Sequence, residues 1–139
     1  MDKNIFIYGD TNSKKEYLLK AFIEIYSNKK DINLFLVDPK KIEFEEYKNY
    51  CYFGYIINNF KDFETKFTDF QKLKGKKLII LNEIADFVYN EEHYDAFKEI
   101  MLNIMQSIKD IQFIVCTQRQ LDKKLNFLIS DKNIVKFIF

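Results

Sequence analysis

The sequence contains no tryptophan, one proline (Pro39), one histidine (His93), one arginine (Arg119), two cysteines (Cys51 and Cys116) and three glycines in 139 residues. Two cysteines do not build a disulfide scaffold. One bridge between them stays open on the sequence, and a reduced, cytoplasmic chain is the better reading. Neither has a C-x-x-C partner. The lone His93, beside Glu91, Glu92 and Asp95, reads as solvated charge in a first helical turn rather than as a metal site. No apolar run approaches the ~20 residues that span a bilayer, so no membrane insertion is expected. The apolar pattern begins within the first five residues, so no signal peptide is expected. A net charge of +1 removes any bulk attraction to nucleic acid, and a DNA contact would have to come from a local patch. The shortage of glycine and proline, with abundant Lys, Asn, Ile, Phe and Tyr, reflects an AT-rich genome and carries no function.

What is present is an apolar content of 47%, too high for a disordered chain, and a length suited to one domain over residues 1–139. Apolar runs alternate with helical periodicity, which predicts an α/β fold with a mainly parallel five-stranded sheet between helices. Strands are predicted at 4–8, 33–37, 77–81, 112–117 and 134–139, with a short edge strand at 55–57. A helix over 13–26 should bury Leu18, Leu19, Phe22 and Ile23. Short helices are predicted around 41–50 and 120–129. Asn59 is placed to cap a helix carrying Phe63, Phe67 and Phe70, and Lys74-Gly75-Lys76 turns the chain into the next strand. The longest helix should start after Asn90, an N-cap residue, with Glu91 and Glu92 in its first turn and Tyr94, Phe97, Met101, Ile104 and Ile108 on its apolar face.

Four stretches end apolar runs in polar residues, as buried parallel strands do at the rim of a sheet: 5–16, 34–47, 78–87 and 113–119. In the first, Gly9 and Lys15 fit the phosphate-loop pattern G-x-x-x-x-G-K-[ST], while Lys14 stands at the second glycine and Glu16 at the hydroxyl. In order and spacing the series resembles the motor domain of the FtsK-type DNA translocases over nearly the whole chain. Gly9, Thr11, Ser13 and Lys15 match that family's Walker A loop; Asp10, Asn12, Lys14 and Glu16 depart from it. Val37-Asp38-Pro39-Lys40 and Tyr47 match the end of its second strand and the helix after it. Asn82-Glu83-Ile84-Ala85-Asp86 keeps most of its Walker B ending, and Cys116-Thr117-Gln118-Arg119 mirrors its next strand end.

The resemblance implies a RecA-like P-loop NTPase core, with ATP and Mg²⁺ as the cofactors of a functional loop. It assigns nucleotide contacts to Gly9, Thr11, Asn12, Ser13, Lys14, Lys15, Glu16 and Asn82, the water-polarising role to Glu83, and the γ-phosphate sensor position to Thr117 and Gln118. The departures bear on each role. Asn12 tolerates a left-handed backbone, whereas Lys14 is unsuited to a position that needs glycine. Glu16 brings a carboxylate towards a polyphosphate, and two like charges ~4 Å apart repel by about 4 kcal/mol at an effective dielectric near 20. That is roughly a thousandfold in affinity. Asn82 lacks the charge that would counter Mg²⁺, without which Glu83 has little to catalyse and reads equally as a rim carboxylate.

The segment that carries an arginine pair in full motors is also missing between the Phe63–Phe70 helix and the next strand. The sole arginine lies elsewhere, so an arginine finger and a nucleotide-fired hexamer are not expected. No membrane anchor or winged-helix module is expected. Three functions stay open. One is a stand-alone, non-hydrolysing accessory of a DNA-transfer or DNA-handling system, such as a plasmid, phage or conjugative element, partnered by an intact FtsK-like motor. Another is a small ATPase with a working variant loop, using Lys15 on the phosphates and Glu83 on the water. The third is a sequence-independent DNA-binding module. It would use Lys40, Lys41, Arg119, Lys123 and Lys124, gathered with Lys14 and Lys15 and diluted by Asp38, Glu43, Glu45, Glu46 and Asp86.

Overall fold

A computed structural model describes residues 3–10, 14–38, 59–106, 110–118 and 123–139. Its five strands are β1 (Ile5–Tyr8), β2 (Ile32–Val37), β3 (Lys76–Asn82), β4 (Ile111–Thr117) and β5 (Val135–Ile138). They form one sheet in the order β2-β3-β4-β1-β5, with every pair parallel. This is the order the resemblance implies, and Leu81 of β3 lies in register with Val115 of β4. The helices are α1 (Lys15–Ser27), α2 (Phe60–Gln71), α3 (Ala85–Val88), α4 (Glu91–Gln106) and α5 (Asn126–Ile129), the last preceded by a 3-10 turn at Lys123–Leu125.

Side-chain alternation along the strands divides the core into two layers. Phe6, Phe35, Ile79, Leu81, Phe113 and Val115 face a layer built from α2, α3, α4 and α5. Ile7, Leu34, Leu36, Leu78, Ile80, Ile114 and Cys116 face the other, where Leu19 and Ile23 of α1 pack on them. The first layer is an aromatic cluster: the Phe63 ring lies 5.4–6.4 Å from Phe35, Phe60, Phe67, Phe87 and Phe97. Truncating a phenylalanine buried to this degree costs about 3–5 kcal/mol. It is this cluster that fixes the angle at which α2, α3 and α4 cross the sheet.

Local sequence explains the element ends. Asn59 adopts an extended backbone and accepts a hydrogen bond from the Asp62 N–H at 2.9 Å, capping α2. Asn90 accepts from the Glu92 N–H at 2.9 Å at the start of α4. Four residues, 72–75, connect α2 to β3. The connection closes on Gly75 at φ +88°, a left-handed conformation disfavoured for any residue with a Cβ. Lys77 then folds back to donate to the Gly75 carbonyl at 2.8 Å, with Asp110 at 3.4 Å.

Several expectations need correction. Lys15 is buried in place of Leu18 and Phe22, which are only partly covered, because α1 turns the faces of Leu19 and Ile23 to the sheet. The helix expected over 120–129 is a 3-10 turn and one helical turn in its described part. His93 is half-buried, with its ring stacked on Phe60 at 5.0 Å rather than solvated. The expected helix at 41–50, the edge strand at 55–57 and Ile108 lie outside the described residues. Among the described residues, no helix is long and apolar enough to cross a membrane.

Candidate nucleotide site

Because all strands run parallel, β1, β3 and β4 deliver their last residues to one edge. Cys116 is the register partner of both Ile7 and Asn82, and Thr117 that of Tyr8. Beyond the strands the chain stays tied together there. Gly9 N–H donates to the Thr117 carbonyl at 3.2 Å, and Ile84 N–H donates to the Cys116 carbonyl at 3.1 Å. Gly9 and the ends of β3 and β4 thus meet at the tip of β4.

Glu83 is the central group of this edge. Its φ is +58°, a left-handed conformation that costs a non-glycine residue about 1–2 kcal/mol. That turn carries the carboxylate back over β4. One oxygen accepts from Ala85 N–H at 3.1 Å and from the Thr117 hydroxyl at 3.0 Å; the other accepts from Gln118 N–H at 2.8 Å. The residue is 5% exposed. The carboxylate therefore caps the start of α3 and clamps β3 to β4. Neither α3 nor the left-handed backbone was legible in the sequence, since a glutamate gives no local signal for positive φ.

Lys15 opens α1 and is 3% exposed. Its ammonium lies 3.9 Å from the Glu16 carboxylate, so Glu16 acts here as a counter-charge to the loop lysine. The Cys116 thiol registers the same convergence. Burial pushes its pKa up to about 12; the positive charge of Lys15 opposes this, while the negative charges of Glu83 and Glu16 add to it. Asn82 is buried at the end of β3. Lys14 has φ −81° and ψ 6°, so its backbone is not in the left-handed region that favours glycine.

The predicted basic patch is only partly open to view. Lys15 begins the helix of one layer, whereas Lys123 and Lys124 belong to the other. Lys123 is exposed. The Lys124 ammonium stands 4.9 Å from the Tyr94 ring centre, and its carbonyl accepts from the Tyr94 hydroxyl at 2.8 Å. Thr11, Asn12, Ser13, Lys40, Lys41, Arg119, Glu43, Glu45, Glu46 and the Asp86 side chain lie outside the described residues. Among the described residues no cluster of three or more His, Cys, Asp or Glu could hold a metal ion.

No protein-family model matches the sequence, and no curated protein matches it. Solved structures do. The chain is similar over 99% of its length to the cytoplasmic domain of the Thermomonospora curvata type VII secretion ATPase EccC, with a TM-score of 0.75 and 11% identity. It is similar over 99% to the cytoplasmic domain of EssC, with a TM-score of 0.66 and 16% identity. AMPPCP-bound DnaA from Aquifex aeolicus matches over 99% with a TM-score of 0.55 and 15% identity. The chain spans 19% of the EccC chain, 31% of the EssC chain and 41% of the DnaA chain. The parallel sheet, its strand order and these matches give the chain the RecA-like P-loop NTPase fold.

Proposed function

We propose that this chain is a degenerate FtsK-like P-loop protein that acts by binding rather than by hydrolysis, as an accessory component of a DNA-transfer or DNA-handling system. The observation that carries the reading is the Lys15–Glu16 pair. A working loop presents an unopposed lysine and a neutral hydroxyl to the phosphates and Mg²⁺. Here the lysine is buried with a carboxylate 3.9 Å away. A polyphosphate entering this loop would have to displace that carboxylate or accept its repulsion.

The remaining groups support the same reading. Asn82 supplies no charge against Mg²⁺, and Glu16 adds a carboxylate beside Lys15. Both Glu83 oxygens are already engaged by buried donors, so the carboxylate has other work than polarising a water. The four-residue connection from α2 to β3 contains no arginine to offer a neighbouring subunit. An intact motor of the same fold is the partner this account favours.

The test is phosphate release from Mg-ATP, with and without double-stranded DNA, alongside light scattering on the same samples. The expected result is turnover at background and a mass that Mg-ATP leaves unchanged. DNA-stimulated turnover together with an ATP-dependent hexamer would overturn the proposal in favour of a small active motor.

A further inference from the structure

The outer side of α1 carries an apolar stripe among the exposed Lys14, Glu24 and Asn28. Tyr17, Ala21 and Ile25 recur at four-residue spacing along its solvent side, with Tyr17 78% and Ile25 52% exposed. Leu18 and Phe22 flank this stripe and are only partly covered by the sheet side of the helix. Exposed apolar surface rimmed by polar residues is a mark of an interaction site. Among the described residues α1 is the only helix packed on its layer of the sheet.

We infer that this face pairs with the same face of a second copy, as an antiparallel two-fold helix pair centred on Ala21. Three features make the face self-complementary in that arrangement. The stripe reads large, small, large, so a two-fold axis at Ala21 lets the helices cross closely and sets Tyr17 of each copy against Ile25 of the other. In antiparallel helices like flanks meet. One flank then places Leu18 against Phe22 of the other copy, apolar on apolar. The other flank places Glu24 against Lys20 of the other copy, opposite charges about two residues apart along the axis, twice per dimer. A parallel pairing would instead oppose Tyr17 to Tyr17 and lose both charge pairs.

The helix is about 20 Å long, so the interface is small and the association weak and reversible. It needs no nucleotide and does not use the rim of the sheet, so it stands or falls independently of the proposed function.

The experiment is sedimentation equilibrium of the intact chain from about 5 μM to 1 mM, a range in which a weak, reversible dimer is populated. A monomer–dimer equilibrium is expected. Ala21→Arg, at an exposed position that tolerates arginine without loss of thermal stability, should weaken it at least tenfold. Lys20→Glu should weaken it several-fold by setting like charges across the flank, and Lys20→Glu with Glu24→Lys should restore it. Cross-linking fixes the direction: in a Cys51→Ser background, Ala21→Cys should form a disulfide-linked dimer on mild oxidation. Lys14→Cys should cross-link to Asn28→Cys in a mixture, but not to itself. A monomer throughout the range, an oligomer indifferent to Ala21→Arg, or self-cross-linking of Lys14→Cys would each overturn the inference.

Discussion

Removing the Glu83 carboxylate should destabilise the fold far more than removing a rim residue. Three donors, two of them backbone N–H groups, point at it from 2.8 to 3.1 Å in a site that is 5% exposed. A hydrogen bond to a charged group contributes about 1.5–3 kcal/mol, and a buried donor left unsatisfied costs about 1–3 kcal/mol. The Thr117 hydroxyl can rotate to another acceptor, but the Ala85 and Gln118 amides cannot. Glu83→Ala is therefore expected to cost about 3–5 kcal/mol, a fall of roughly 10–15 °C in Tm for a domain of this size. Glu83→Gly loses the same bonds but relieves the left-handed backbone, so it should be less damaging than Ala by about 1 kcal/mol. Thr117→Val should cost about 1 kcal/mol in wild type and almost nothing once Glu83 is Ala, because the shared bond is already gone. Urea denaturation of wild type and the four variants, the double variant included, at pH 7 reads all these values. A Glu83→Ala variant within about 0.5 kcal/mol of wild type would refute the clamp, since that is the behaviour of an ordinary surface site.

Other outcomes follow from the same geometry. Glu16→Ser with Asn82→Asp should tighten Mg-ATP binding about tenfold to a hundredfold, less than unscreened repulsion gives because Lys15 already offsets Glu16; calorimetry checks it. Adding Lys14→Gly should contribute nothing further, because Lys14 already has a right-handed backbone. The Cys116 thiol, pushed up to about 12 by burial, keeps its proton in the folded state while the unfolded chain loses it from about pH 9. Stability should therefore fall as pH rises from about 9 to 12, and Cys116→Ala should flatten that part of the profile; urea titrations across this range measure it. Gly75→Ala should cost about 1 kcal/mol in the same denaturation assay, because φ +88° strains any residue with a Cβ.

The strands and the helices between them were readable because apolar runs alternate with helical periodicity and the Phe-rich helices have one buried stripe each, while the order of the strands in the sheet came from the family resemblance. Asn59 and Asn90 announced their helices through cap chemistry that acts within three residues. The site was legible only as a list of positions. That Glu16 pairs with Lys15 depends on how α1 rotates over the sheet, and rotation is set by packing, not by local sequence. The Glu83 clamp depends on a single left-handed residue, which no periodicity encodes. The helix over 13–26 was read only for the burial of Leu18, Leu19, Phe22 and Ile23, so the stripe of Tyr17, Ala21 and Ile25 on its other side went unread.

The most direct measurement is calorimetric titration of Mg-ATP into the wild-type chain, with Lys15→Ala as the control. If the loop lysine is already held by Glu16 and the magnesium position lacks a carboxylate, binding should be weaker than about millimolar and unaffected by Lys15→Ala. Micromolar binding that Lys15→Ala abolishes would show a working phosphate loop and contradict the account.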